Sequence, residues 1–143
     1  MSVAAQVLEA LSTLIGRALS HPCTIGAPPP QSSVATPSAW LTYERLASDV
    51  DGPGVALGQH GYTMPCRVLL YPVASGPTPT ARTLSILDAA ARVIEAVHND
   101  RSLGGLVLDC LCAHDAPPPD VASTGGLQGE VTIEVVWIGG SAA

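Results

Sequence analysis

The segment from Leu84 to Leu111 constrains the fold most strongly, because it joins two different apolar periodicities across a glycine-containing break. Apolar residues recur at steps of three and four, which predicts an amphipathic helix over 81–98. After a short polar break at 99–102 comes Leu103-Gly104-Gly105, and we interpret the glycine pair as a turn that needs positive φ. The apolar residues that follow predict a strand over 103–114. The chain therefore needs both a helix and a sheet.

The predicted helix has two apolar edges. One consists of Leu84, Leu87, Ala91 and Ile94, and the other consists of Ile86, Ala90, Val93 and Val97. A helix that is apolar on more than one side is covered on more than one side. We expect one edge to meet the sheet and the other to meet a second helix or a neighbouring subunit.

The remaining elements follow from the same patterns. Apolar spacing predicts a first helix over 2–20 with Ser2 as its N-cap. Strands are predicted over 39–47, 63–74 and 127–138, and the last of these alternates apolar and polar residues. The element order is α-β-β-α-β-β. It predicts an α+β fold in which two helices pack on a mainly antiparallel four-stranded sheet, with 1–143 forming a single domain.

Three segments rich in proline and glycine separate these elements, at 22–38, 49–62 and 115–126. They lack periodic apolar residues, so we predict mobile loops there. The N-cap of the second helix is predicted at Thr80 or Thr83.

Composition favours an assembly subunit. Hydrophobic residues make up 47% of the chain and charged residues 13%. This is an ordered composition, and its weakly charged surface suits burial in an oligomer interface. The formal net charge is −6, and no basic cluster occurs. Direct binding of DNA phosphates is therefore not expected, although an acidic protein can line a passage through which DNA slides.

The N-terminus lacks a basic region before an apolar core, so no signal peptide is expected. Apolar runs are too short to span a membrane, and no membrane partner is predicted. These features predict a protein made in the cytoplasm, where its four cysteines are free thiols.

One cluster of metal-ligating residue types occurs in the sequence. Cys110, Cys112 and His114 alternate on one predicted strand and therefore share a face, and His60 or Cys66 would complete a zinc site. The spacing lacks the C-x₂₋₄-C knuckle of structural zinc sites, and buried cysteine often serves as a small apolar residue. Core packing is the favoured interpretation, so the sequence predicts no metal and no cofactor.

His114-Asp115 has the residue types of a general base and its orienting acid. No serine or cysteine lies in a nucleophile-elbow context such as G-x-S-x-G. The sequence thus predicts no catalytic residues and a protein that is not an enzyme.

A family resemblance rests on a few short stretches of this sequence. These are Leu87-Asp88-Ala89-Ala90, 94–97, Asp100, Leu103-Gly104-Gly105-Leu106-Val107 and the final strand at 129–138. In these stretches and in element order, the chain resembles the tail terminator and tail-completion proteins of long-tailed bacteriophages, the family of the phage lambda terminator. The proline-rich segments after the first helix and before the last strand depart from that family's pattern.

The resemblance implies a structural virion protein. Members of the family form a ring, usually a homohexamer, on the last ring of tail-tube protein, where they stop tube polymerisation and offer the other face to a head-completion or neck protein. It therefore implies a location at the tail–neck junction of the virion, with DNA only passing through the lumen. Candidate assembly contacts are Asp51, Gln59, His60, Tyr62, Arg92, Asp100, Arg101 and Asp115.

Three alternatives remain open at this point. The first is a head-closure or connector subunit, which also forms a ring. The second is a small metal-dependent or thiol enzyme that uses Cys110, Cys112 and His114. The third is a monomeric cytoplasmic binding module.

Overall fold

In a computed structural model of the chain, two helices pack on one face of a mixed sheet, in an α+β arrangement. The structure describes residues 1–26, 38–50, 55–71, 78–112, 120–121 and 127–140. The core lies between the helices and the sheet and is built mainly from aliphatic side chains, together with four cysteines, Met64 and, at one end, Trp137.

Helix α1 spans Val3–Leu19, as its apolar spacing predicts. The Ser2 hydroxyl accepts a hydrogen bond of 3.2 Å from the backbone N–H of Ala5, so the predicted N-cap is confirmed. The helix ends at Ser20, whose φ of 59° turns the chain out of the helical path. Every fourth residue of α1 faces the core: Val7, Leu11, Ile15 and Leu19 are all buried.

The prediction of a mainly antiparallel four-stranded sheet is wrong. The strands are β1 Cys23–Ile25, β2 Ser38–Tyr43, β3 Ala47–Asp49, β4 Gln59–Tyr71, β5 Asp109–Cys112, β6 Asp120–Val121 and β7 Leu127–Gly140. The path β1-β2-β4-β7-β5 runs across the sheet, β3 joins it as a sixth strand on β4, and the short β6 pairs with β7. The β1–β2 pair is parallel, which makes the sheet mixed.

The predicted strand over 39–47 ends at Tyr43 as β2, and a separate strand, β3, begins at Ala47; both strands pair with the same side of β4. β2 pairs with residues 66–71, and β3 pairs with residues 61–63. Between β2 and β3 the chain stays hydrogen-bonded to β4, because the N–H of Glu44 donates to the carbonyl of Pro65 at 2.8 Å. Two or three residues are too few to show a period of two, which is why the sequence did not predict β1, β3 or β6.

The long β4–β7 pair forms the centre of the sheet, with a register from Gln59↔Gly140 to Leu70↔Gly129. The predicted alternation of β7 is confirmed, since the apolar positions 131, 133, 135 and 137 are all buried against the helices. β4 begins at Gln59 rather than 63, so its first residues and the last residues of β7 lie together at one end of the sheet.

Helix α2 spans Pro79–Asn99. Its N-cap is Thr78, whose hydroxyl accepts from the N–H of Ala81 at 3.0 Å, so the predicted cap at Thr80 or Thr83 is wrong. Pro79 suits the first helical position, because its missing N–H would have no partner there. The edge formed by Ile86, Ala90, Val93 and Val97 is buried, as predicted.

The glycine pair after α2 forms the predicted turn. Leu103, Gly104 and Gly105 all have positive φ, at 50°, 70° and 91°. The N–H of Val107 donates to the carbonyl of Ser102 at 3.1 Å, so the chain is still turning there. The predicted strand over 103–114 is therefore wrong over 103–108, since β5 begins only at Asp109.

Candidate assembly surfaces

Three predicted contact residues lie at the start of β4. The side chain of Gln59 accepts a 3.1 Å hydrogen bond from the N–H of Ala56, which closes the turn before the strand. His60 is exposed, and its ring centroid lies 6.3 Å from that of Tyr62. Tyr62 stacks on Trp137 with centroids 5.3 Å apart and an interplanar angle of 12°. Tyr62 is thus part of the packed end of the core, while His60 is accessible.

Asp100 and Arg101 lie in the turn between α2 and β5. The Asp100 carboxylate accepts from the N–H of Gly104 at 3.1 Å. The Arg101 guanidinium binds both carboxylate oxygens of Asp109, at 2.7 and 2.5 Å, and this hydrogen bonding holds the pKa of Asp109 below its usual range. Both predicted contact residues therefore stabilise the entry into β5.

The residues at the start of β4 and those in the turn before β5 lie at the same end of the sheet. Val136 of β7 shows this, because it pairs with Asp109 on one side and with Thr63, the residue after Tyr62, on the other. Arg92 lies apart from them on α2, where it forms an ion pair of 3.1 Å with Asp88. Asp51 and Asp115 lie outside the described residues.

The cysteines of the proposed metal cluster are buried in the core. Cys66 on β4 and Cys112 on β5 both pair with Ile133 of β7, and Cys110 pairs with Val135, two residues further along β7. Burial raises the pKa of the Cys66 thiol to about 12 and that of Cys110 to about 11. Such thiols are protonated at neutral pH and pack as small apolar side chains. Within the described ranges no three histidine, cysteine or acidic side chains are gathered to hold a metal, and His114 lies outside those ranges.

The open face of the sheet carries one ion-pair network. The Nε of Arg67 lies 2.7 Å from Glu130 on β7 and 3.6 Å from Glu44 after β2. The hydrogen bond to Glu130 raises the pKa of Arg67 further. The network joins β4 to β7 and to the residue that follows β2 on this face.

Exposed apolar side chains collect along one edge of the sheet, which sequence reasoning missed. We call this group the edge patch. It extends from β1 and the end of β2, along β3, to the turn before β4, where Leu57 is 84% exposed. Its members are Ile25, Tyr43, Leu46, Val50 and Leu57.

A second exposed apolar group, which we call the flank patch, lies on α2 and consists of Leu84, Leu87 and Ala91. Leu84 and Leu87 are 58% and 60% exposed, so the apolar edge predicted to meet another helix or subunit is not covered along these positions. On the same side of the helix, the His98 Nε2 accepts from the N–H of Cys112 at 3.3 Å. This hydrogen bond places the flank patch on the β5 side of the molecule.

Two outward-facing backbone N–H groups of β5 already donate hydrogen bonds within the chain. The N–H of Cys110 donates to the carbonyl of Arg101 at 2.7 Å, and the N–H of Cys112 donates to His98. Both donors point away from the β7 ladder, so the sheet has no free donor at these two positions to extend through β5. A partner on this side of the molecule would therefore contact side chains and would not add a strand beside β5 at these positions.

None of the helices described in the structure is long and apolar enough to cross a membrane.

Comparisons with known proteins find similar solved structures but no match in sequence. No family model matches the chain, and no curated protein does. The chain is similar to the sheath/tube terminator of PVC, an extracellular contractile injection system, in its extended state as solved by cryo-EM. The sequence identity is 15% and the TM-score is 0.46. The similarity covers 94% of this chain and 56% of that chain, so the chain spans little more than half the length of that protein.

Proposed function

We propose that this chain is a structural subunit that caps the end of a tail tube and stops its polymerisation. Copies of the subunit form a closed ring, a homohexamer, whose one face binds the terminal ring of tail-tube protein. The other face binds a head-completion or neck protein, at the tail–neck junction of a virion. The proposal needs no catalytic residue and no cofactor.

The observation that carries the proposal is the presence of two separate exposed apolar surfaces on opposite edges of one sheet. Large apolar side chains that are exposed close together are typical of protein–protein contact sites. A subunit that contacts copies of itself on two sides, and tube on a third, needs several such surfaces. The identity of the assembly comes from the sequence resemblance around Leu103-Gly104-Gly105, where the chain forms a helix, a left-handed turn and a strand in the expected order.

The charge is compatible with a ring around DNA. The net charge of −6 disfavours binding to phosphates, so DNA can move through the lumen of such a ring without being held.

The proposal is tested with tail-tube protein from the same genome. Tube polymerisation is started, the purified chain is added, and the tubes are viewed by electron microscopy at several times. We expect growth to stop and ring-shaped density to appear at one end of each tube. Tubes that grow equally long with and without the chain, and that carry no added density, would refute the proposal.

A further inference from the structure

We propose that His98 is a pH-sensitive switch at the outer edge of β5. The neutral ring of His98 holds the backbone of Cys112, and protonation of the ring releases it. The inference goes beyond the proposed function and does not depend on it, because it rests on the hydrogen bonds that occupy this edge of the sheet.

The outer edge of β5 has two occupied donors. β5 is the last strand on the path β1-β2-β4-β7-β5, so no strand of that path lies on its outer side. The N–H of Cys110 donates to the carbonyl of Arg101 at 2.7 Å, and the N–H of Cys112 donates to Nε2 of His98 at 3.3 Å. A backbone carbonyl accepts at any ordinary pH, whereas an imidazole nitrogen accepts only when it carries no proton. The two donors are therefore held by acceptors that differ in their sensitivity to pH.

The hydrogen bond from Cys112 defines the state of the His98 ring. Because Nε2 accepts, the ring is neutral and its proton lies on Nδ1. In the protonated ring both nitrogens carry a hydrogen, and the hydrogen on Nε2 would point at the N–H of Cys112. The hydrogen bond would then be replaced by a contact between two donors, so the ring must turn away and Cys112 loses its acceptor.

The charged groups around His98 favour the protonated ring. The carboxylate of Asp109 on β5 has its pKa held below the usual range, chiefly by the hydrogen bond from Arg101 and also by its interaction with His98. Glu95 lies three residues before His98 on the surface of α2, and Asp100 lies two residues after it. The carbonyls at the end of α2 also attract a cation in its last turn. Arg101 opposes protonation least, because it is paired with Asp109.

Two opposing influences thus act on the ring, since the N–H of Cys112 favours the neutral form. The thiols of Cys110 and Cys112 do not take part, because burial raises the pKa of each to about 11. Lowering the pH from about 7.5 to about 5 takes an ordinary histidine from mostly neutral to mostly protonated. Cys112 is then released while Cys110 stays bonded to Arg101, so the sheet gains one open donor at the end of β5.

The first test is the position of the ring proton on His98. It is read from the ¹⁵N chemical shifts of the ring in the labelled full-length chain at about pH 7.5. We expect Nδ1 to be protonated and Nε2 to be free of a proton. A proton on Nε2 at this pH would overturn the proposal, because that nitrogen could not accept from Cys112.

The second test is amide hydrogen exchange of the same chain at about pH 7.5 and about pH 5, with each rate divided by that of an unstructured chain at the same pH. The protection of the Cys112 amide should fall about fivefold at the lower pH, as expected for the loss of one hydrogen bond. The Cys110 amide is the internal control, and its protection should be the same at both pH values. Equal protection of Cys112 at both pH values, or a parallel loss at Cys110, would overturn the proposal.

Variants connect the change to His98 itself. His98→Gln keeps a polar side chain that does not titrate, so the protection of Cys112 should no longer depend on pH. His98→Ala should leave Cys112 weakly protected at both pH values. His60→Gln is the matched control, because it removes an exposed histidine at the start of β4 and should leave the pH dependence of Cys112 intact. If the pH dependence persists in both His98 variants while circular dichroism shows that they are folded, another group controls Cys112 and the proposal is wrong.

Discussion

The approach of α2 to β7 predicts a strong coupling between Gly129 and Ile86. A Cβ placed on Gly129 would collide with Cγ2 of Ile86, and the Cβ of Leu70, its partner on β4, lies 3.7 Å away. Ile86 is buried, so its side chain has little room to move. Gly129 therefore allows the helix to lie close to the sheet, and this close packing sets the position of the flank patch.

The size of the effect follows from two opposing terms. Overpacking a core by one methyl group costs about 1–3 kcal/mol. Replacing glycine by alanine also restricts the unfolded chain, which stabilises the fold by about 0.4–1 kcal/mol. Gly129→Ala should thus lower the free energy of unfolding by about 1–2 kcal/mol. Ile86→Ala alone should cost about 2–5 kcal/mol. In the double variant the new methyl group enters the space left by Ile86, so the combined loss should be smaller than the sum by at least about 1 kcal/mol.

Urea unfolding followed by tryptophan fluorescence, to which the buried Trp137 and the partly buried Trp40 both contribute, measures these values. Gly16→Ala is the control, because the nearest atom to its added Cβ is at 3.4 Å, an ordinary contact, and alanine favours a helix interior. That variant should be stabilised by about 0.5–1 kcal/mol. A Gly129→Ala variant that is as stable as the wild type, or a double variant whose losses add, would refute the close packing of α2 on β7.

The remaining predictions concern the turn, one ion pair and the thiols. Gly104→Ala should lower the free energy of unfolding, measured in urea, by about 1–2 kcal/mol, because alanine is strained at a φ of +70°. No atom lies within 4 Å of the added Cβ, so the loss reflects backbone strain and not a steric clash. Arg101→Gln should return the pKa of Asp109 to its usual range in an NMR titration, whereas Arg45→Gln should not. Since the folded pKa of Asp109 is lowered, its ion pair stabilises the fold above the ordinary aspartate pKa and is lost as pH falls through the folded value. The four buried thiols should react with a disulfide reagent at pH 8 only as fast as the protein unfolds, since burial raises each pKa to about 11 or 12; reaction of two or more within minutes would contradict this.

The helices and the central strands could be predicted because each is long enough to show its period. α1 and α2 repeat apolar residues along one face over 17 and 21 residues, and β7 alternates from Val131 to Trp137. The short strands β1, β3 and β6 could not be predicted, because they exist only through pairing with longer neighbours. The start of β5 was misplaced because the apolar residues of 103–108 are packed by a turn, which periodicity does not distinguish from a strand.

The candidate surfaces could also be predicted only in part. The exposed edge of α2 was visible in the sequence as a second apolar stripe. The edge patch was not, because its five residues come from separate stretches of chain that only the pairing of β1–β4 brings together. Asp100 and Arg101 were predicted as contacts from the resemblance, but their side chains bond within the turn before β5. Local hydrogen bonding of that kind cannot be read from spacing alone.

The most direct test of the central claim is the length distribution of tails made without this protein. Particles are produced from a genome in which its gene is deleted, and tail lengths are measured by electron microscopy beside those of the complete genome. The account predicts tails of uncontrolled length that fail to join heads, because nothing stops the growing tube. Tails of normal length beside heads that leak DNA would contradict it and would instead indicate a head-closure subunit.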